Sequence, residues 1–253
     1  MAAVGSLVNN LACLWRQPCT RTYLPHLFIC ISFIGSILKK MDLVRESFFS
    51  NSRNLLNVYF VKVSWGWTIV LLLPFICLSN SYNRSLTFVL RRLTSLLVAT
   101  FIWYTCTEIF FYIEDISGSC YESNTMQVIH GEITTKAVCK KAGFMWDGFD
   151  ISGHSFILAY SSLVIVEEMV PILHLTHVYR NTPLDCLYVA LNVIVAIWIW
   201  MFGCTSVYFH HIIDKLLGTS CGILGWYVTY VVWYPRPYSP GLPPQHTEQK
   251  QHV

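Results

Sequence analysis

The stretch SGHSFILAYSSLVIVEEMVPIL, Ser152 to Leu173, decides how the rest of the chain is read. Between its opening triplet and the Glu167/Glu168 pair every residue is apolar, small or tyrosine. The run has the length, about 17 to 25 residues, that a helix needs to cross a bilayer core. A segment in lipid must satisfy its own backbone hydrogen bonds, so a helix is expected here.

Working outward, comparable runs lie at Thr22–Leu38, Asn57–Ser79 and Leu93–Ile113 before it, and at Leu187–Phe209 and Lys215–Tyr234 after it. The expected fold is therefore an all-α membrane protein, a six-transmembrane-helix bundle in a single domain over residues 1–244. A hydrophilic loop spans 114–150, and a disordered tail follows at 245–253. Composition points the same way: of 253 residues 54% are hydrophobic and only 12% charged, against about 25% charged in an ordinary soluble domain. The net charge of +3 is scattered, without the basic stripe that marks a nucleic-acid partner. Arg16 and Arg21 precede the first run, but no small-residue cleavage pattern follows, so it reads as a retained span.

Some features leave alternatives open. Lys and Arg divide evenly between the two faces, so the positive-inside rule does not orient the chain. Cys120 and Cys139, in the long loop, either pair in an oxidising compartment or remain free thiols. Gly218, Gly222 and Gly225 either admit a close helix neighbour or are ordinary membrane-helix glycines. Glu167 and Glu168 either face the bundle interior or snorkel at the membrane edge. Lys62 and Glu108 fall inside predicted spans without assignable partners.

One convergence holds in either orientation. His154 opens the fourth span and His210 closes the fifth, and consecutive spans run antiparallel, so both histidines reach one face of the membrane. Asp214, the loop near Arg53 and the long loop join that face. Ser152 is placed to cap its helix, whose first free N–H groups, at Gly153 and beyond, form an anion site. His154, one turn in, can protonate a leaving phosphate oxygen. In HHIID, His210 and Asp214 stand four apart, on one face if the helix continues. The aspartate would then hold Nδ1–H of His210 and free Nε2 as a nucleophile toward phosphorus.

Neither SGH nor HxxxD is specific by itself; their convergence carries the phosphoryl-transfer reading. A metal site of His154, His210, His211 and Asp214 competes, since these are ordinary zinc or iron ligands. It lacks a second compact histidine pair or an HExxH helix, and no metal or cofactor is expected. A third reading leaves the histidines lining the polar pocket of a non-catalytic lipid-binding protein.

Longer segments carry a resemblance. GFDISGHSFIL, LVIVEEM and CTSVYFH, with NVYFVKVSWGWT, LRRLTSLLV, IWYTCT, GSCYES and WYPRPYSPGLPP, resemble the fat storage-inducing transmembrane proteins, in order, from about Tyr23 to Pro244. The resemblance implies a six-span protein of the endoplasmic reticulum with both termini cytosolic and a core related to the lipid phosphate phosphatases. It also implies a lumenal fatty acyl-CoA diphosphatase that yields acyl 4'-phosphopantetheine and adenosine 3',5'-bisphosphate, and that supports lipid droplet formation and membrane homeostasis. Binding of diacylglycerol and triacylglycerol is implied too, with protein partners among those that shape the reticulum and its droplets. His154 matches the family's first catalytic histidine, a general acid, and His210 the second, a nucleophile.

Two departures thin the phosphate cradle that this resemblance implies. Ile151 stands where the phosphatases have proline, and Cys204 where they have an arginine six residues before the nucleophile. Lys62, placed within a span, does not supply the phosphatases' lysine. Phosphoryl transfer depends on positioning and charge stabilisation, so the cations are expected from Arg53, Lys140 and Lys141 on the same face, with Lys39 and Lys40 further off. Trp65, Trp67 and Phe156 are expected to hold an acyl chain.

Overall fold

The computed structural model describes residues 2–16, 18–80, 85–122, 135–173 and 181–244. The tail at 245–253 and the middle of the long loop, 123–134, lie outside them. Helices α1 (Ala2–Arg16), α2 (Pro18–Lys40), α3 (Ser64–Asn80) and α4 (Leu86–Ser117) precede a two-stranded hairpin, and α6 (Gly153–Glu168), α7 (Thr182–Tyr208) and α8 (Ile212–Trp226) follow it. The hairpin pairs β1 (Ser119–Tyr121) with β2 (Met145–Asp147) antiparallel, with short α5 (Lys136–Lys141) between them.

Five described helical segments are long and apolar enough to cross a membrane. The expected second span differs. Its α-helix, α3, has 17 residues and begins at Ser64, after a π-helical turn at Asn57–Val61 capped by Lys62. The asparagine-rich entry explains the shift, because Asn54 and Asn57 spend their side chains on local backbone groups, Asn57 Nδ2 donating to Ser52 O at 2.6 Å. Lys62 therefore stands at the edge of this apolar helix, not inside it.

α6 is the axis. In its apolar window 94% of residues are buried, against 17% for α4, so the other helices wrap it and turn their outer faces outward. That pattern suits a bundle whose solvent is lipid. α8 approaches α6 closely because Gly222 leaves space: a Cβ there would stand 2.8 Å from Phe156 O, and Gly218 faces the backbone of Ser152 in the same way. The glycines thus serve close packing. α1 was not anticipated from sequence. It lays Val8, Ala12 and Trp15 inward at helical spacing and anchors on α7, where Trp15 Nε1 donates to Asn192 Oδ1 at 2.6 Å.

The two ends of the bundle are built differently. At the end away from His154, Arg92 and Glu168, each 1% exposed, form an ion pair in which Arg92 Nη2 donates to both carboxylate oxygens, at 2.8 and 2.7 Å. Ser95 Oγ and Tyr230 Oη also donate to Glu168, at 3.0 and 2.6 Å. Arg92 further donates to the carbonyls of Pro240 and Gly241, and Arg91 to that of Ser239, tying the chain past α8 across this end. Glu168 thus faces the interior, while Glu167 pairs with Arg21 at 3.6 Å. At the histidine end, Cys120 and Cys139 form a disulfide across the hairpin. Glu114 pairs with Lys136, Trp146 Nε1 donates to Glu114 O at 3.1 Å, and Lys136 N donates to Asp115 at 3.0 Å. The hairpin is fastened to the last turns of α4.

Candidate active site

His154 sits in the first turn of α6. Ser152 is the N-cap, its Oγ accepting from Ser155 N at 3.2 Å. The amides of Gly153 and His154 precede any carbonyl that could receive them within the helix, leaving donors at the helix's positive end. The entry is fixed from behind, because Ser152 N donates to Asp214 O at 3.1 Å.

His210 occupies the corner between α7 and α8, with φ +48°. That left-handed conformation is uncommon outside glycine, and such residues concentrate at functional sites. Two lysines hold the corner. Lys39 Nζ donates to the His210 carbonyl at 3.0 Å and the buried Lys215 Nζ to that of Ser206 at 2.6 Å. The end of α7, whose carbonyls lack intrahelical partners, is thereby satisfied and the imidazole remains available.

Both histidines line one cavity of about 740 Å³. Its polar end holds His154, His210, Asp150, Glu114 and Lys62; its walls include Val61, Trp65, Trp103, Phe110 and Ile157. His154 lies within electrostatic reach of both His210 and Lys62. A charged head and an apolar chain of one ligand could be held together, and the volume falls in the ordinary range for ligand sites, about 300–1,000 Å³.

Several expected residues stand elsewhere. Asp214 does not touch the His210 ring. Its carboxylate accepts from His211 N at 3.1 Å and caps α8, because the chain breaks at Phe209–His211 and the four-residue spacing no longer spans one helical face. Asp150 is there instead, its Oδ2 3.3 Å from His210 Nδ1. Arg53, Lys140 and Lys141 share the face but do not line the cavity: Arg53 lies on an exposed turn and the two lysines on exposed α5. The cation that does line it is Lys62, with no ion pair among the described residues. Cys204 is buried and borders a separate apolar groove between α2 and α7, not the histidine cavity. His211 is exposed outside the cavity, and with Asp214 turned away the four-ligand metal site does not assemble; no other metal-holding group of His, Cys, Asp or Glu occurs among the described residues. Trp65 lines the cavity as expected. Trp67 instead stacks on Phe60, and Phe156 packs between Phe110 and Tyr160.

Asp150, in the loop before α6, carries a side chain that is 55% exposed. Partial enclosure pushes its carboxyl above the usual carboxylate range, His210 opposes, and Glu114 adds to the rise. A carboxyl with a raised folded-state pKa loses stability as pH climbs through its ordinary range and then through the raised one.

A bundle of apolar helices around one buried helix, with a histidine cavity at one end, defines a multi-pass, all-α membrane protein. The chain belongs to the fat storage-inducing transmembrane protein family, whose profile matches residues 45–191 and 180–230. It is 76% identical over 252 residues to acyl-coenzyme A diphosphatase FITM2 of Danio rerio, covering 100% of this chain and 99% of the relative. It is 50% identical over 230 residues to acyl-coenzyme A diphosphatase FITM2 of Homo sapiens, covering 89% and 87%. The fat storage-inducing transmembrane protein 1 of Mus musculus is 30% identical over 238 residues, covering 93% and 81%. No solved structure matches the chain significantly.

Proposed function

We propose that this protein is a fatty acyl-CoA diphosphatase, cleaving the acyl-CoA pyrophosphate to acyl 4'-phosphopantetheine and adenosine 3',5'-bisphosphate. The observation that carries this reading is the meeting of His154 and His210 in one cavity with an apolar wall. The FITM2 relatives, named as acyl-coenzyme A diphosphatases, support it. His210 Nε2 attacks one anhydride phosphorus, forming a nitrogen–phosphorus bond as the bridging oxygen leaves. His154 gives its proton to that oxygen. Water, deprotonated by His154 in its turn, then splits the phosphohistidine and restores both imidazoles. Lys62 and the amides at the start of α6 face the charge that builds on the phosphoryl oxygens. The acyl chain runs along Trp65, Trp103 and Phe110.

In the same reading the core is phosphatase-like and α3 with its preceding turn serves as the second of six spans. The protein resides in the endoplasmic reticulum, both termini are cytosolic, and the cavity is lumenal. The Cys120–Cys139 disulfide at the histidine end suits an oxidising lumen. Removal of acyl-CoA by this reaction would support droplet formation and membrane homeostasis. A second reading, non-catalytic binding of diacylglycerol or triacylglycerol, is favoured by one observation, the apolar groove of about 800 Å³ beside Ile34, Leu38 and Trp200.

Purified protein given oleoyl-CoA tests the choice. Release of adenosine bisphosphate is expected, with a rate falling on both sides of a pH optimum, because one histidine must be protonated and the other free. No release favours the lipid-binding reading, whereas release with a flat profile from about pH 5 to 9 contradicts the two-histidine acid–base mechanism.

A further inference from the structure

We propose that Asp150 is the positioning residue for His210: its carboxylate receives Nδ1–H, fixes the tautomer whose Nε2 faces the cavity, and balances the charge that arises when Nε2 bonds to phosphorus. The inference rests on the hydrolase reading and replaces the role that spacing alone assigns to Asp214.

Geometry argues for it on three counts. Asp150 Oδ2 stands 3.3 Å from His210 Nδ1, a separation typical of catalytic pairs before substrate tightens them. The backbone that carries this half-exposed side chain is pinned on both sides. Before it, Phe149 N donates to Ser117 Oγ at 2.9 Å; after it, Ile151 is buried and Ser152 N binds Asp214 O at 3.1 Å. The hairpin leading to Phe149 is closed by the Cys120–Cys139 disulfide and fastened to Glu114. Finally, apart from Lys62 on the cavity wall, the neighbouring charges are otherwise engaged. Glu114 pairs with Lys136, the Asp214 carboxylate caps α8, and Lys39 Nζ donates to the His210 carbonyl. A carboxylate that orients imidazole without touching substrate affects turnover more than binding.

Full-length protein in micelles, assayed with oleoyl-CoA, separates the two aspartates. Asp150→Asn should lower kcat about 100-fold or more, with KM within about threefold and no fall in thermal midpoint. Asp150→Glu should regain part of the loss. Asp214→Asn should keep kcat within about threefold, because the asparagine Oδ1 can still accept from His211 N. Near-normal kcat in Asp150→Asn, or a loss there accompanied by unfolding, overturns the assignment, as does a larger loss in Asp214→Asn. An independent readout does not need turnover: carbethoxylation of His210 by diethyl pyrocarbonate, followed by mass spectrometry. Removing the carboxylate should change the extent of His210 labelling at a fixed neutral pH, since the ring would no longer be held with Nε2 facing the cavity. An unchanged extent of labelling contradicts the role of Asp150 alone, whereas absence of adenosine bisphosphate release by the unaltered protein contradicts the hydrolase reading.

Discussion

Replacing His210 with alanine is expected to lower adenosine bisphosphate release from oleoyl-CoA by at least about 10³-fold, the order seen when a nucleophile is removed from a unit acting in concert. Nothing nearby can substitute. His211 is exposed outside the cavity, and its carboxylate neighbour, Asp214, is committed to the cap of α8. The corner itself should survive, because Lys39 and Lys215 bind main-chain carbonyls. Alanine in place of a β-carbon-bearing residue at φ +48° adds no new clash, so expression and helix content should be unchanged. His154→Ala should reduce turnover comparably, for a different reason: the leaving oxygen loses its proton donor. Combining the two should cost little more than either, since both serve one step. Additive losses would indicate independent roles and weaken the proposed mechanism. Retained turnover in both single variants would end it.

The second large effect concerns stability. Arg92→Ala should destabilise the folded bundle by about 3–5 kcal/mol, the usual consequence of leaving one partner of a buried ion pair uncompensated. Glu168, 1% exposed, would keep Ser95 and Tyr230 as donors but lose both guanidinium bonds. The carbonyls of Pro240 and Gly241 would lose their donor as well, releasing the segment that crosses this end of the bundle. A domain's net stability is only about 5–15 kcal/mol, so denaturant titration in micelles should register a large shift. Arg92→Met combined with Glu168→Leu should recover much of the loss, because an apolar pair leaves no buried charge. A thermal midpoint unchanged in Arg92→Ala would mean that the pair is hydrated and contributes little. The histidine cavity lies at the other end of α6, so residual folded protein should keep its catalytic rate.

The apolar spans were legible because lipid imposes a simple demand on each helix separately: enough apolar length to cross and a self-satisfied backbone. The convergence of His154 and His210 was legible for a related reason, since antiparallel spans fix which ends meet. The remaining details depend on contacts that no local pattern encodes. The HxxxD spacing pointed to Asp214 on the premise of a continuous helix, and the left-handed turn at His210 breaks that premise. Asp150 is delivered to the same ring by a hairpin sixty residues distant from it in sequence only in the sense that α6 and α7 intervene; its neighbours Phe149 and Ile151 gave no sign of it.

Charged residues were misjudged where face membership stood in for position. Arg53, Lys140 and Lys141 belong to the histidine end, yet they do not line its cavity. Lys62 was read as an intramembrane charge because the apolar run was drawn from Asn57, and the asparagine-held π-helical turn moved the edge of the α-helix to Ser64. Arg92 stands one residue ahead of the predicted span at Leu93. Its partner, Glu168, lies 76 residues away, beyond any spacing rule. The glycines of α8 were visible but ambiguous until the backbone of α6 was found against them.

The central claim is that His210 bonds to phosphorus while His154 attends the leaving oxygen. Alkaline quenching of the protein during turnover of oleoyl-CoA, followed by peptide mass spectrometry, tests it most directly, because the nitrogen–phosphorus bond of a phosphohistidine survives base. The account predicts a phosphate-ester adduct on His210, carrying either the adenosine or the acyl-pantetheine half, and its absence in His210→Ala. Turnover with an adduct on His211, or with no adduct on any histidine, would contradict it.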